Sequence, residues 1–189
     1  TIKSLSKNKL VKGIRQQLHW HVNPKYRFAS GPDIMMDQNW RRNFSILNDY
    51  GWLFELQVFS SQMNDAANLA HCFPKTPMVL QHCGMPEDAS VAGMKKWSDS
   101  LKRLSQEANV YCKFSGLGTF IHSVSPNFIQ EITEQCIELF GPQRCIFGSN
   151  FPIEKLWASY KELLDGYQSA LERLSKYDKQ AIFYDNAKS

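Results

Sequence analysis

Pro77-Met78-Val79-Leu80-Gln81-His82-Cys83-Gly84-Met85-Pro86 is the stretch on which the fold turns. A few apolar residues stop abruptly at a polar pair, and a glycine and a proline close the segment. An apolar run this short, without strict alternation, reads as a strand covered on both faces rather than as an amphipathic helix. Working outward, four runs of the same kind appear: LVKGIRQQL at 10–18, WLFELQVF at 52–59, NVYCKFS at 109–115 and RCIFGS at 144–149. With 77–82 they make five candidate strands. Segments of helical period fit between and after them, at 37–49, 61–72, 91–107, 125–140 and 157–175, with a closing helix near 177–187. Asp37 and the pair Ser125-Pro126 suit helix starts, where a side-chain oxygen takes a free amide and proline fits the opening turn. Gly51 and Gly141 suit helix ends.

Strand centres spaced roughly 24 to 41 residues apart match a strand, a crossover helix and two loops, so the repeating unit is βα and the sheet is parallel. The fold class is α/β, either an open doubly wound sheet or a closed barrel. Five parallel strands do not close a barrel, whereas eight do over about 250 residues. The sequence begins with Thr1 rather than Met, so its start reads as a cut or an unplaced boundary, and residues 1–189 read as one domain or part of one.

Composition excludes several classes. With 43% hydrophobic residues among 189, the chain can bury a core. The net charge of +4 is spread in short mixed-sign stretches, which argues against nucleic acid and membrane surfaces and for a small-molecule substrate. The five cysteines, Cys72, Cys83, Cys112, Cys136 and Cys145, cannot all pair, and several sit in apolar runs, which favours reduced thiols and a cytoplasmic location. No apolar stretch approaches the roughly 20 residues of a membrane span, and the first residues lack the apolar centre of a signal peptide.

In parallel α/β folds ligands lie beyond the carboxyl ends of the strands. Those ends are polar here: Arg15 in the first run, Glu55 and Gln57 in the second, Gln81-His82 after the third, Lys113 and Ser115 in the fourth, Ser149-Asn150 after the fifth. Arg15 needs an anion, either Glu55 on the neighbouring strand or a substrate carboxylate. His82, held at a tight turn, is the strongest catalytic candidate. His19 and His21 have the i, i+2 spacing of a metal-ligand pair, but Asn23-Pro24 and the surrounding aromatic residues favour a loop in which both rings pack on neighbours. No Cys-x-x-Cys, Gly-x-Gly-x-x-Gly or Gly-x-Ser-x-Gly occurs.

GIRQ, WRRNF, FELQVF, FPKTPMVLQHCGMP, NVYCKFSGLG and FGPQRCIFGSNFPIEKL, in this order, resemble the amidohydrolase-related family (amidohydrolase 2), metal-dependent hydrolases whose members include fuconolactonase and pyrone dicarboxylate lactonase. The resemblance implies a (β/α)8 TIM barrel of the metal-dependent hydrolase type, of which this chain carries the C-terminal portion and lacks the first three βα units. It implies a site with one divalent metal, zinc or manganese, or none. His82 matches a family histidine and is the one good metal ligand of this chain; Asn150 matches the position of the last-strand acid. An amide at 150 cannot accept a proton near neutral pH and so cannot be a general base. Gln57 stands where a metal-bridging residue is common, which argues against two metals.

The resulting expectation is hydrolysis of a small carboxylated or sugar-derived lactone. His82 and Asn150 act at the carbonyl, and Arg15, Gln57 and Lys113 bind substrate. The alternatives are a metal-dependent decarboxylase of the same superfamily, and an inactive truncated barrel that needs a completing chain or associates, as a homo-oligomer, through its open edges.

Overall fold

The computed structural model describes residues 2–188. Five strands, β1 (Gly13–Gln17), β2 (Leu53–Gln57), β3 (Met78–Leu80), β4 (Val110–Phe114) and β5 (Cys145–Phe147), form one sheet in the order of the sequence. Every neighbouring pair is parallel. The register runs Arg15 against Glu55, Glu55 against Val79, Val79 against Tyr111, and Lys113 against Ile146. Sequential order with parallel pairing requires a crossover after each strand. The helices Met63–Cys72, Val91–Ser105 and Pro126–Phe140 supply three of them, and Gln38–Phe44 with Ile46–Asp49 supplies the first.

Period-two alternation sorts the side chains by face. Phe54, Leu56, Met78, Leu80, Val110, Cys112, Phe114 and Cys145 are buried beneath the helices and form one core with Leu69, Leu101, Leu104, Ile132 and Tyr167. Truncating a residue such as Leu80, fully buried there, should cost about 2–5 kcal/mol. The opposite face carries Arg15, Glu55, Gln57, Lys113 and Ser115, the polar residues of the sequence pattern. This two-sided arrangement is that of a (β/α)8 barrel in part, with helices outside and a polar lining inside.

The expected caps are present: Asp37 accepts from the amide of Trp40 at 2.7 Å and Ser125 from that of Phe128 at 3.2 Å. The expected helix at 37–49 is interrupted at Ser45, whose hydroxyl bonds the carbonyl of Arg42 at 2.8 Å, a back-bond that bends helices. The expected helix at 157–175 begins only at Tyr160, capped reciprocally by Ser159 and Glu162, because a 3-10 turn takes Ile153–Leu156. Arg144 belongs to the turn before β5 rather than to the strand, and its guanidinium caps the carbonyls of Ser105, Glu107 and Val110. The closing segment is a short α-helix, Lys176–Gln180, that widens into a π-turn at Ala181–Asp185. No helix among the described residues is long and apolar enough to cross a membrane.

Candidate active site

The inner face carries a charged cluster that spans three strands. Arg15 Nε donates to Glu55 Oε2 at 2.5 Å, and its Nη2 donates to Gln81 Oε1 at 3.1 Å. Lys113 Nζ reaches the other oxygen, Glu55 Oε1, at 3.5 Å. Of the two anions open to Arg15, the structure therefore supplies Glu55. Burial pushes the Glu55 carboxyl up, but the hydrogen bond from Arg15 and the charges of Lys113 and Arg15 outweigh it and hold the group below its ordinary value. One carboxylate between two cations leaves a net positive face, and the Arg15 side chain keeps 43% of its surface open.

His82 follows β3 in the turn Gln81–Gly84. Its φ of 55° begins a left-handed stretch that continues through Cys83 at 53°, Gly84 at 74° and Met85 at 51°. Non-glycine residues hold that conformation only when their surroundings impose it, and such strain gathers at functional sites. The imposing contacts are visible: Ser115 Oγ lies 2.9 Å from His82 Nδ1, and Gly116 packs so closely on the ring that a Cβ there would approach Nδ1 to 2.3 Å. Burial, then the charges of Arg15 and Lys113, lowers the imidazole pKa from 6.5 to about 4. His82 is thus a neutral ring at neutral pH, with one nitrogen tied to Ser115.

Asn150 leaves β5 with φ 56°, ahead of a cis peptide between Phe151 and Pro152. Its Nδ2 donates to Glu154 Oε2 at 3.0 Å, and Glu154 Oε1 accepts from the Gly118 amide at 2.8 Å. Glu154 is fully buried. It locks the loop after β4 to the loop after β5 and leaves Asn150 Oδ1 without a hydrogen bond among the described residues. Gly148, two residues earlier, makes room for Lys113, whose Cε a Cβ at 148 would approach to 2.8 Å.

Gln57 ends β2, with Nε2 3.6 Å from Met85 Sδ and a buried Oε1 that has no hydrogen-bond partner among the described residues. His19 packs on Phe28 and Phe59 at centroid distances of 4.7 and 5.5 Å, and His21 on Tyr26 and Phe59 at 5.4 Å each. Both histidines lie in a ring-packed loop, as their neighbours in sequence suggested. Arg15, Lys113 and His82 share one electrostatic neighbourhood. Gln57 joins them through Met85, and Asn150 follows β5 two residues after Gly148, which lies against Lys113. Sequence reasoning missed Glu154; its signal was the one-turn spacing Asn150-x-x-x-Glu154 beside Pro152.

A catalytic zinc takes three protein ligands. Among the described residues, no group of three or more histidine, cysteine or carboxylate side chains close enough to share an ion includes His82. The described residues thus offer one imidazole and do not by themselves fit a metal centre at this rim.

The sequence matches the amidohydrolase family over residues 1–189. It is 32% identical over 176 residues to uncharacterized protein y4mH of Sinorhizobium fredii, which covers 93% of this chain and 59% of that protein. It is 27% identical over 184 residues to L-fucono-1,5-lactonase of Burkholderia multivorans, covering 92% of this chain and 60% of the lactonase. The chain spans about three-fifths of the length of both curated relatives. Its structure superposes on a zinc-bound amidohydrolase of Burkholderia multivorans with a TM-score of 0.86 at 24% identity, over 98% of this chain and 66% of the other. The five βα units, the polar inner face and the whole-length family match carry one conclusion: the chain belongs to the amidohydrolase family.

Proposed function

We propose that this chain carries part of the active site of a hydrolase for small anionic or sugar-derived lactones. The observation that carries the reading is the convergence of a neutral, strained histidine and a net-positive Arg15–Glu55–Lys113 cluster at the strand ends. The similarity to an L-fucono-1,5-lactonase supports the substrate class.

In the tautomer whose Nδ1 accepts from the Ser115 hydroxyl, the neutral ring of His82 keeps Nε2–H as a donor to the lactone carbonyl. An imidazole of low pKa polarises a carbonyl without becoming charged. The oxyanion that forms on attack gains from the positive potential of Arg15 and Lys113, and such preorganised stabilisation is usually the largest catalytic term. The same cations attract a substrate carboxylate, and Gln57 adds a buried amide at the rim. Asn150, anchored by Glu154, presents Oδ1 to orient water but takes no proton, so the general base lies elsewhere. Zinc or manganese at this rim would require ligands beyond those described, and His82 is the residue of this set suited to meet it through a ring nitrogen. Decarboxylation is the weaker reading, since it wants the acid that Asn150 replaces.

The test is hydrolysis of sugar 1,5-lactones and pyrone carboxylates by the full-length protein, followed by acid release at constant pH. Turnover of a lactone, lost in His82→Asn, supports the proposal. Turnover of none, or turnover unchanged in His82→Asn, removes it.

A further inference from the structure

Behind the sheet face that carries the candidate active site, three thiols meet. Cys83 comes from the turn after β3, Cys112 from the outer face of β4 and Cys136 from the helix Pro126–Phe140, and their sulfurs all lie within 4.8 Å of one another. All three residues are fully buried. Their neighbours leave the sulfurs weakly engaged: Cys83 Sγ lies 3.6 Å from the Lys113 carbonyl, and Cys145, a fourth buried thiol, is directed at the Cys136 carbonyl at 3.9 Å.

A second observation points to the same place. The side chain of Tyr167 is fully buried, and its hydroxyl has no hydrogen-bond partner among the described residues. Burial, then Cys83, Glu154, Cys136 and Cys112, holds the pKa of that hydroxyl well above its ordinary value. A buried hydroxyl without a partner costs about 1–3 kcal/mol.

We propose that Cys83, Cys112 and Cys136 bind a thiophilic divalent cation of the zinc class. Zinc–sulfur bonds of about 2.3 Å place tetrahedral sulfurs roughly 3.8 Å apart, within reach of this cluster after a small contraction. On binding, each thiol releases its proton to solvent and three metal–sulfur bonds form. Three thiolates around a divalent ion leave a charge of −1, whereas a monovalent ion would leave −2 in an apolar core, which favours the divalent class. Sulfur donors without carboxylates select against magnesium, calcium and manganese. The site is distinct from the rim of His82, since Cys112 faces the helix-covered side of the sheet. It is coupled to that rim through the backbone, because Cys83 adjoins His82 and Cys112 adjoins Lys113. Occupancy would clamp two strand ends of the candidate active site from behind.

Cobalt(II) is the probe, added to the reduced, metal-free, full-length protein. The expected result is sulfur-to-cobalt charge-transfer absorption that Cys112→Ala and Cys136→Ala abolish, while Cys72→Ser and His82→Asn retain it. Zinc should bleach it. Absence of a thiolate band in the wild-type protein, or its survival in the folded alanine variants, overturns the site. Zinc-edge X-ray absorption of the zinc-loaded His82→Asn protein needs no cysteine variant: three sulfur neighbours are expected, and a shell of nitrogen and oxygen alone overturns the assignment.

Discussion

The Nδ1 atom of His82 sits 2.9 Å from the hydroxyl of Ser115, and the Cα of Gly116 closes the space behind the ring. One residue thus ties a ring nitrogen and the next fixes the position of the ring. Ser115→Ala removes the bond and is expected to cost about 1 kcal/mol of stability, with roughly a tenfold loss in kcat/KM from a ring free to tilt. Gly116→Ala should be worse on both counts, because its φ of 63° strains a side chain and the new methyl meets the imidazole. Steady-state kinetics and thermal melts of the two variants check the order.

Acid should destabilise the protein in a window set by His82. The ring titrates near 4 when folded against an ordinary 6.5. Between those values the unfolded chain binds a proton that the native chain refuses, so stability is full above about pH 6.5 and falls as the pH drops toward 4. A shift of this size is worth roughly 3 kcal/mol at the acid end. His19, which burial also lowers to about 4, adds loss in the same window. The depressed Glu55 carboxyl acts in the same direction, below its unfolded value. Melting temperature followed from about pH 7 to pH 4.5 should fall steadily, and His82→Asn should flatten the curve.

Glu154 accepts two hydrogen bonds from two loops, and an amide in its place can accept only one of them. Glu154→Gln is expected to turn the Asn150 amide so that its Oδ1 accepts from the new side-chain amide, at a cost of about 1 kcal/mol, and to lower kcat more than it raises KM. Asn150→Asp places a second carboxyl 3.0 Å from Glu154 Oε2, where both cannot ionise. The pair then takes up a proton, so the deficit in melting temperature should shrink on acidification from about pH 7 to pH 5, opposite to the wild-type trend.

Arg15 and Lys113 share Glu55, and removing either cation changes the potential at the rim. Arg15→Ala is expected to raise KM for a carboxylated lactone about tenfold, with less effect on a neutral sugar lactone, and Lys113→Ala to act in the same sense more weakly. Equal effects on charged and neutral lactones would mean that the pair serves packing alone. Saturation kinetics with the two substrate classes separates these outcomes.

The strands and their polar ends were legible because burial on both faces removes alternation, and because charged residues inside an apolar strand need a partner. The pairing of Arg15 with Glu55 was legible as one of two choices, and the parallel register that sets residue 15 beside residue 55 makes that pair without closing the exposed guanidinium to a substrate anion. Glu154 was hidden, since a glutamate after Asn-Phe-Pro reads as the start of a helix, and its burial depends on a loop from β4 that is distant in sequence. The thiol cluster was hidden for the same reason: Cys83, Cys112 and Cys136 read separately as small apolar residues, and only the stacking of a helix on the sheet brings their sulfurs together.

The most direct test of the active-site reading is His82→Asn in the full-length protein, since asparagine tolerates the left-handed backbone at φ 55° and separates loss of the ring from loss of the fold. The expected result is a fall of at least about 100-fold in kcat/KM for a lactone substrate, with a melting temperature near neutral pH that shifts by only a few degrees. Retained turnover together with a large drop in melting temperature would make His82 a packing residue and contradict the account.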